Sequence, residues 1–277
     1  MKGTRHQLRL RLLRRIRRSM DTVVAEPVQF TTVSGYRIAA TLTLPSIPGV
    51  LPGAVLCPNR DHGQRNFFED EPIRPEEVAG LGCAVLTFDP PGRGESWGPE
   101  DFGGPEHHDA VASAVRWLRD HPRVRGNGVG LVGLGLGCSM AVGAARVLSA
   151  SGTPAAWLLD WEGPCDRHDI TQGGTDKIPS MGRKITDDAY WVPREPTHHV
   201  AHIQCPYWRL QADPDHVLSD AHRHASAMME AAGPLQWVRL NFHTAGQMPL
   251  RPAWISGGRL AANQSLLRAI GELSRGR

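Results

Sequence analysis

Near the middle of the chain the sequence reads Val129-Gly130-Leu131-Val132-Gly133-Leu134-Gly135-Leu136-Gly137-Cys138-Ser139-Met140. An apolar run ends among closely spaced glycines, and a segment rich in small residues follows over 141–150. The apolar run is typical of a buried strand, the glycines of a turn, and the small-residue segment of a helix. We therefore predict a strand, a sharp turn at Gly135 and a helix.

Similar apolar runs occur on both sides of this stretch. Predicted strands cover 27–33, 36–44, 53–57, 83–88, 155–160, 207–211 and 237–242. Predicted helices cover 74–81, 107–121, 219–232 and 259–273. Strands that alternate with helices predict an α/β fold with a doubly wound, mostly parallel sheet. Residues 163–200, which are rich in Gly, Pro and charged side chains, predict a small lid or insertion.

The charges are distributed unevenly along the 277 residues. Residues 1–20 contain eight basic side chains and no acidic one, whereas the rest of the chain is mildly acidic. We predict a basic N-terminal arm over 1–22 and one α/β domain over 23–277. The mildly acidic domain gives no reason to expect nucleic acid as a partner.

The basic arm has apolar residues at every fourth position: Leu8, Leu12, Ile16 and Met20. This spacing is typical of a basic amphipathic helix, which could bind an anionic membrane surface or an acidic partner. A solvated extension is the alternative, because short isolated helices are only marginally stable. Both interpretations stay open from the sequence.

Cysteine and histidine usage bears on compartment and cofactors. The five cysteines include no C-x-x-C pair, which favours free thiols in a reducing, cytoplasmic compartment. His198, His199 and His202 lack the spacing of a strong zinc site, and we expect them to be solvated loop residues. We expect the same of His107 and His108. The sequence thus predicts no metal and no cofactor.

Three segments carry a resemblance to a known superfamily. Asp89-Pro90-Pro91-Gly92-Arg93-Gly94-Glu95-Ser96 looks like a D-x-x-G-x-G-x-S segment that follows a fourth strand. Gly133-Leu134-Gly135-Leu136-Gly137 has the frame of a G-x-S-x-G nucleophile elbow. Leu210–Val217 looks like a G-x-x-D-x-V acid segment. Over residues 25–275 the chain resembles the α/β-hydrolase superfamily, in an esterase and peptidase-like serine hydrolase lineage.

The resemblance assigns a role to each position of a catalytic triad. The nucleophile position is Gly135, which has no side chain, and the triad carboxylate is Asp215. The histidine position reads Gln247, and His243 lies four residues earlier. A glutamine cannot act as a general base, whereas His243 could if its loop were rearranged.

The resemblance also assigns the groups that would hold an oxyanion. One is the N–H of Leu136, directly after the elbow position. The other comes from the loop that follows the third strand, where Asn59 and Arg60 lie. Glu162, or Asp160 two residues before it, follows a buried strand and could activate water directly, cap a turn or pair with Arg167.

Three functional interpretations follow. The leading one is a hydrolase-like protein with a degenerate triad, which binds a small-molecule ligand in the sheet-edge pocket or catalyses a non-covalent reaction there. The second is an active ester or amide hydrolase whose strand runs on to Leu136, so that Ser139 becomes the nucleophile with Asp215 and His243. The third is a membrane-surface or assembly protein that acts through the basic arm.

Overall fold

The computed structural model describes residues 23–59, 63–171, 182–215, 221–233, 237–244, 254–256 and 258–276. The predicted basic arm, Arg60 and Gln247 lie outside these ranges. Within them, no helix combines the length and apolar character that crossing a membrane requires.

In the described residues, nine strands form the main sheet. The strands of these ranges are β1 (Val23–Thr31), β2 (Arg37–Pro45), β3 (Leu51–Cys57), β4 (Ala84–Phe88), β5 (Val124–Leu134), β6 (Leu158–Trp161), β7 (Tyr207–Leu210), β8 (Ala212–Asp213), β9 (Val238–Leu240), β10 (His243–Thr244) and β11 (Ile255–Ser256). The main sheet has the order β1-β2-β4-β3-β5-β6-β7-β9-β10, and β8 pairs with β11 separately. The pairs from β4 to β9 are parallel, while the pairs β1–β2, β2–β4 and β9–β10 are antiparallel.

Helices connect the strands. They are α1 (Asn66–Glu69), α2 (Pro75–Ala79), α3 (Pro105–Asp120), α4 (Gly137–Ala150), α5 (Arg167–Ile170), α6 (Asp188–Trp191), α7 (Ala221–Ala232) and α8 (Arg259–Leu273). The predicted insertion contains α5 and α6, and short 3-10 turns follow α6 at Val192–Arg194, Pro196–His198 and Val200–His202.

An apolar layer covers each face of the sheet. Side chains alternate along a strand, so Leu131 of β5 faces one layer and Val132 faces the other. The Leu131 layer includes apolar residues of α3, α4 and α7, and the Val132 layer includes those of α2 and α8. Helices on both faces of a mostly parallel sheet confirm the predicted doubly wound α/β fold.

Candidate functional site

The sharp turn predicted at Gly135 lies at the carboxyl end of β5. β5 ends at Leu134 and α4 begins at Gly137, so only Gly135 and Leu136 connect them. Gly135 has φ +53°, in the left-handed region that glycine adopts most readily. Its N–H donates to the Trp161 carbonyl at 3.0 Å, which ties the turn to β6.

Asn59 fills the space beside Gly135. A Cβ added at Gly135 would lie 2.7 Å from Asn59 Cγ and from Asn59 Oδ1, closer than real Cβ contacts allow. The same Oδ1 accepts a hydrogen bond from the Leu136 N–H at 3.0 Å. The side chain of Asn59 therefore lies where a nucleophile's side chain would begin, and it binds the N–H assigned to the oxyanion.

Two side chains hold the Asn59 backbone in this position. Its N–H donates to Glu71 Oε1 at 3.0 Å, and its carbonyl accepts from Arg93 Nη1 at 3.0 Å. Arg93 is buried and makes two hydrogen bonds with the Glu100 carboxylate, at 2.6 and 3.0 Å. Because Arg93 belongs to the D-x-x-G-x-G-x-S segment, that segment supports Asn59.

Ser139, the alternative nucleophile, lies in the first turn of α4. It is fully buried, and a Cβ added at Gly103 would lie 2.9 Å from Ser139 Cβ. Its Oγ has no hydrogen-bond partner in the described part of the chain. The strand does not run on to Leu136 as the alternative register required, and Ser139 packs against the loop that precedes α3.

Asp215 contacts a histidine that the sequence analysis did not single out. His224, from α7, places Nε2 3.2 Å from Asp215 Oδ2, and both side chains are fully buried. Gln211 Nε2 donates to the same carboxylate oxygen at 2.7 Å. Arg209 Nη2 lies 2.9 Å from His224 Nδ1. Nδ1 also lies 3.2 Å from the Gly163 carbonyl, so the His224 ring is enclosed between Asp215 on one side and Arg209 and Gly163 on the other.

His243 lies elsewhere in the fold, in the β9–β10 hairpin, where it pairs with Leu240. Within the described ranges, no hydrogen bond or ion pair links His243 to Asp215. Gln247, which occupies the histidine position of the resemblance, and Arg60 of the oxyanion loop lie outside the described residues.

Asp160 and Arg209 form a buried ion pair below the turn. Asp160 Oδ2 accepts from Arg209 Nη1 at 2.7 Å and from the Tyr207 hydroxyl at 2.6 Å, and Oδ1 accepts from the Gly163 N–H at 3.0 Å. Burial alone would lower the pKa of Arg209, but the Asp160 carboxylate offsets this and holds it above its usual range. Of the structural roles expected of Asp160, capping a turn is confirmed at Gly163, whereas pairing with Arg167 is wrong.

Cys138 lies next to this ion pair in α4. Burial raises the pKa of its thiol well above the usual range, and the nearby Asp160 carboxylate raises it further. A thiol with a raised pKa stays protonated and is a poor nucleophile.

Arg167 pairs with two other carboxylates, Glu195 at 2.7 Å and Asp188 at 2.6 Å.

Glu162 follows β6 in a strained conformation. Its φ is +50°, an uncommon value for a non-glycine residue, and it is buried. One carboxylate oxygen, Oε1, accepts from the Ala212 N–H at 2.8 Å. Glu162 is thus anchored to β8 at the sheet edge where this fold class places its ligands.

Apolar side chains of the insertion cover the residue that follows Gly135. Leu136 packs in a small cluster with Ile170 and Trp191, which Phe102 and Tyr190 extend. These contacts place α5 and α6 directly over the turn.

Several histidines that we expected in solvent are buried. His107 and His108 are nearly inaccessible because the loop before α3 folds back onto the helix, and His199 of the insertion is buried with its ring against that of His108. His108 Nε2 bonds to the Gly103 carbonyl at 2.7 Å, and Gly103 N–H donates to His107 Nδ1 at 3.1 Å. Burial lowers the pKa of His107 to about 4 and that of His108 to about 3.

Cys165, Asp166 and Asp169 are one group of possible metal ligands in the described chain. The Arg223 guanidinium already bonds to both carboxylates of this group. Its positive charge takes the place that a cation would need, so these residues do not fit a metal ion.

Comparisons with known proteins bear on the fold of the chain. No model of a known protein family matches the sequence. The chain is 28% identical over 198 residues to the uncharacterized peptidase YtmA of Bacillus subtilis, covering 69% of this chain and 74% of that protein. It is 30% identical over 143 residues to mouse acyl-coenzyme A thioesterase 1, covering half of this chain but only 30% of the mouse protein.

Solved structures show the same fold. The Pyrococcus furiosus esterase Pf2001 superimposes with a TM-score of 0.65 at 14% identity, covering 94% of each chain. The acetyl xylan esterase of Paenibacillus sp. R4 superimposes with a TM-score of 0.61 at 14% identity, covering 90% of this chain and 84% of that one. The sheet order, the turn at Gly135 and these likenesses define an α/β-hydrolase fold.

Proposed function

We propose that this protein binds a small molecule at the sheet edge beside Gly135 and forms no acyl-enzyme there. The observation that carries the proposal is the position of the Asn59 side chain. The carboxamide lies against Gly135, and its Oδ1 accepts a hydrogen bond from the Leu136 N–H at 3.0 Å.

Acyl-enzyme chemistry needs an attacking atom and a free oxyanion donor in the same place. Gly135 offers no hydroxyl, and the Leu136 N–H already has an acceptor. An oxyanion at this site would have to displace the Asn59 carboxamide, which Glu71 and Arg93 hold through its backbone. The turn at Gly135 and Leu136 therefore provides neither the attacking atom nor the free oxyanion donor that the covalent reaction needs.

The surroundings of Asp215 support the same proposal. In a working triad the carboxylate orients the histidine that serves as the base. Here the Asp215 carboxylate bonds to Gln211 and lies beside His224, whose ring is fully buried next to Arg209. This carboxylate thus belongs to a buried polar network that links β6, β7 and α7.

The relatives suggest the chemical class of the ligand. Their names include an esterase, a peptidase and an acyl-coenzyme A thioesterase, whose substrates are carboxylic acid derivatives. We infer a small ligand of that class, recognised through a carbonyl or carboxylate group. Hydrolysis without a covalent intermediate would require a water molecule activated by the carboxylate of Glu162, the residue with the strained backbone at this edge.

The second candidate, an active hydrolase that uses Ser139, requires its hydroxyl to reach a base. Ser139 is buried against Gly103 instead, and its Oγ has no partner among the described residues. We therefore favour the binding function.

A fluorophosphonate probe separates these possibilities. Native protein and a Ser139→Ala variant are incubated with the probe, and covalent modification is measured by intact mass and peptide mapping. We expect no added mass on either protein. Label on the native chain that is lost in Ser139→Ala would overturn the proposal and establish the serine hydrolase.

The same preparations test the non-covalent alternative. Hydrolysis of p-nitrophenyl acetate and acetyl-coenzyme A is measured for native protein and Glu162→Gln. We expect no turnover above the uncatalysed rate from either. Turnover by native protein that Glu162→Gln abolishes would establish a non-covalent hydrolase in place of a binding protein.

A further inference from the structure

The turn at Gly135 is closed to solvent. Gly135 and Leu136 are both buried, and aromatic side chains from two different parts of the chain cover Leu136. Phe102 belongs to the loop before α3, whereas Tyr190 and Trp191 belong to α6 of the insertion. A molecule that binds beside Gly135 can therefore reach it only after this cover has opened.

Arg194 joins the two parts of the cover. It lies in the 3-10 turn after α6, and its Nη2 donates to the Asp101 carboxylate in the loop before α3. Its Nε also donates to the Asp101 carbonyl, at 3.1 Å. On the insertion side, Nη1 donates to the Tyr190 carbonyl at 2.6 Å, and Cζ lies 3.8 Å from the centre of the Tyr190 ring. One guanidinium thus holds the insertion against the loop.

Asp101 is in turn attached to the body of the domain. Its Oδ2 accepts a hydrogen bond from the Glu106 N–H in the first turn of α3, at 2.8 Å. The side chains of Arg194 and Asp101 are only 9% and 13% exposed. Losing one partner of a pair withdrawn from water costs more than losing one at an open surface. The contact between Arg194 and Asp101 is therefore a strong attachment of α6 to α3.

The loop has an uncommon conformation next to this contact. Phe102 has φ +45°, in the left-handed region that a phenylalanine adopts only at a cost in free energy. Such a conformation persists where its surroundings enforce it. Glu100 accepts the Phe102 N–H at 2.7 Å, and Arg194 binds the neighbouring Asp101. Release of Arg194 would remove part of this enforcement and allow the loop to relax.

The segment after the 3-10 turn is anchored separately. Val200 and Ile203 pack in the apolar layer that contains Leu131. The His199 ring lies 5.3 Å from the ring of His108 in α3. We therefore expect residues 199–203 to stay with the domain when α6 moves.

We propose that α6 and the 3-10 turn Val192–Arg194 form a gate over the turn at Gly135. The hydrogen bonds between Arg194 and Asp101 hold this gate closed. When they break, the aromatic side chains of α6 move away from Leu136. Entry of a ligand through the gate rests on the function proposed above, whereas the opening itself does not.

The reactivity of a cysteine at position 136 tests the proposal. Leu136→Cys is made in the full-length protein, and its modification by iodoacetamide is followed by peptide mass spectrometry, with fragmentation to distinguish it from Cys138. Arg194→Met removes the donors of the gate, and Asp101→Asn leaves one acceptor oxygen for the two donors that bind the carboxylate. We expect each change to raise the rate of modification at position 136 by about tenfold, because hydrogen bonds between charged groups are lost.

Arg119→Met, in the same Leu136→Cys background, is the matched control. Arg119 also connects separate segments, since it donates to the carbonyls of Thr153 and Pro154 at 3.0 and 2.6 Å, but it lies at the other end of α3. This change should leave the rate at position 136 unaltered. Cys57, which is fully buried in β3, reports global unfolding in every sample and should stay unmodified.

The outcomes separate the gate from the binding function, because iodoacetamide reacts whether or not the proposed small molecule binds. An unchanged rate in either folded gate variant, or an equal rise in Arg119→Met, would overturn the proposal. So would modification of the Leu136→Cys protein itself at the rate of an exposed thiol. If Cys57 is modified in Arg194→Met, that variant is unfolded and the rate in Asp101→Asn decides.

Discussion

At the scale of single residues, Gly135 and Asn59 depend on each other. Gly135 has no side chain, so the side chain of Asn59 can fill the space beside it and accept a hydrogen bond from the Leu136 N–H. A buried N–H without an acceptor would cost about 1–3 kcal/mol, so this hydrogen bond stabilises the turn. Under the function we propose, this turn is packed and carries no nucleophile.

A double-mutant cycle measures this dependence. Gly135→Ser should lower the free energy of unfolding by about 2–4 kcal/mol, from the left-handed backbone and from overlap with Asn59. In an Asn59→Ala background the same change should cost about 1 kcal/mol less, because the overlap is gone. Urea unfolding provides the four free energies.

Gly152→Ser is the matched control for backbone strain. Gly152 has φ +72° with no atom within 4 Å of an added Cβ, so it reports the cost of the left-handed region alone. If Gly135→Ser costs no more than Gly152→Ser, Asn59 does not obstruct the nucleophile position.

The buried ion pair of Asp160 and Arg209 gives a second prediction. Arg209→Met should lower the free energy of unfolding by about 3–5 kcal/mol, because it leaves the Asp160 carboxylate buried without its cation. Arg268→Met, which removes the exposed pair with Glu272 on α8, should cost less than about 1 kcal/mol. Similar losses from the two variants, measured by urea unfolding, would show that Arg209 does not neutralise Asp160.

At the scale of elements, α3 contains two buried histidines at its N-terminal end. Their pKa values, about 4 for His107 and about 3 for His108, lie below the ordinary value of 6.5. Both side chains therefore stay neutral in the folded protein at a pH where the unfolded chain binds protons. Their contribution to stability is complete above pH 6.5 and is lost as the pH falls toward 3.

Replacing one of these histidines should weaken the pH dependence of stability. Between pH 6.5 and 5, His108→Gln should reduce the slope of unfolding free energy against pH by about 1.4 kcal/mol per unit, since one proton fewer is taken up on unfolding. A glutamine amide can still donate to the Gly103 carbonyl, to which His108 bonds at 2.7 Å. Identical slopes for the two proteins in urea titrations would contradict the assignment of His108 as neutral.

Most elements were predictable because their signals are local. Periodic apolar residues identified the strands and helices, and α8 has the predicted bounds, Arg259–Leu273. The histidines of α3 were mispredicted because their burial depends on the preceding loop, whose Gly103 bonds to both rings. The spacing of the residues in the sequence does not predict that contact.

The candidate site shows the same limit. The turn at Gly135 was predictable from the glycine frame, and its φ of +53° agrees. The contact between Asn59 and Gly135 was not, because it joins residues 76 positions apart. His224 carries no motif of its own, and only the packing of α7 against β7 brings it to Asp215.

At the scale of the whole molecule, the sheet order explains how Asn59 reaches Gly135. β3 and β5 are parallel neighbours, and Cys57 pairs with Gly133. Both strands end at the same edge of the sheet, and the residues two positions beyond this pair, Asn59 and Gly135, therefore meet there. The α/β-hydrolase topology that usually assembles a triad at this edge here assembles a carboxamide against a glycine.

The most direct test of the obstructed elbow is to rebuild the nucleophile with and without Asn59. Two variants carry Gly135→Ser and Gln247→His, and one of them also carries Asn59→Gly. Both are treated with a fluorophosphonate probe, and the label on the peptide containing position 135 is measured by mass spectrometry. We expect label only when Asn59 is removed. Equal labelling of both variants, or label on the native protein, would contradict the conclusion that Asn59 closes this site.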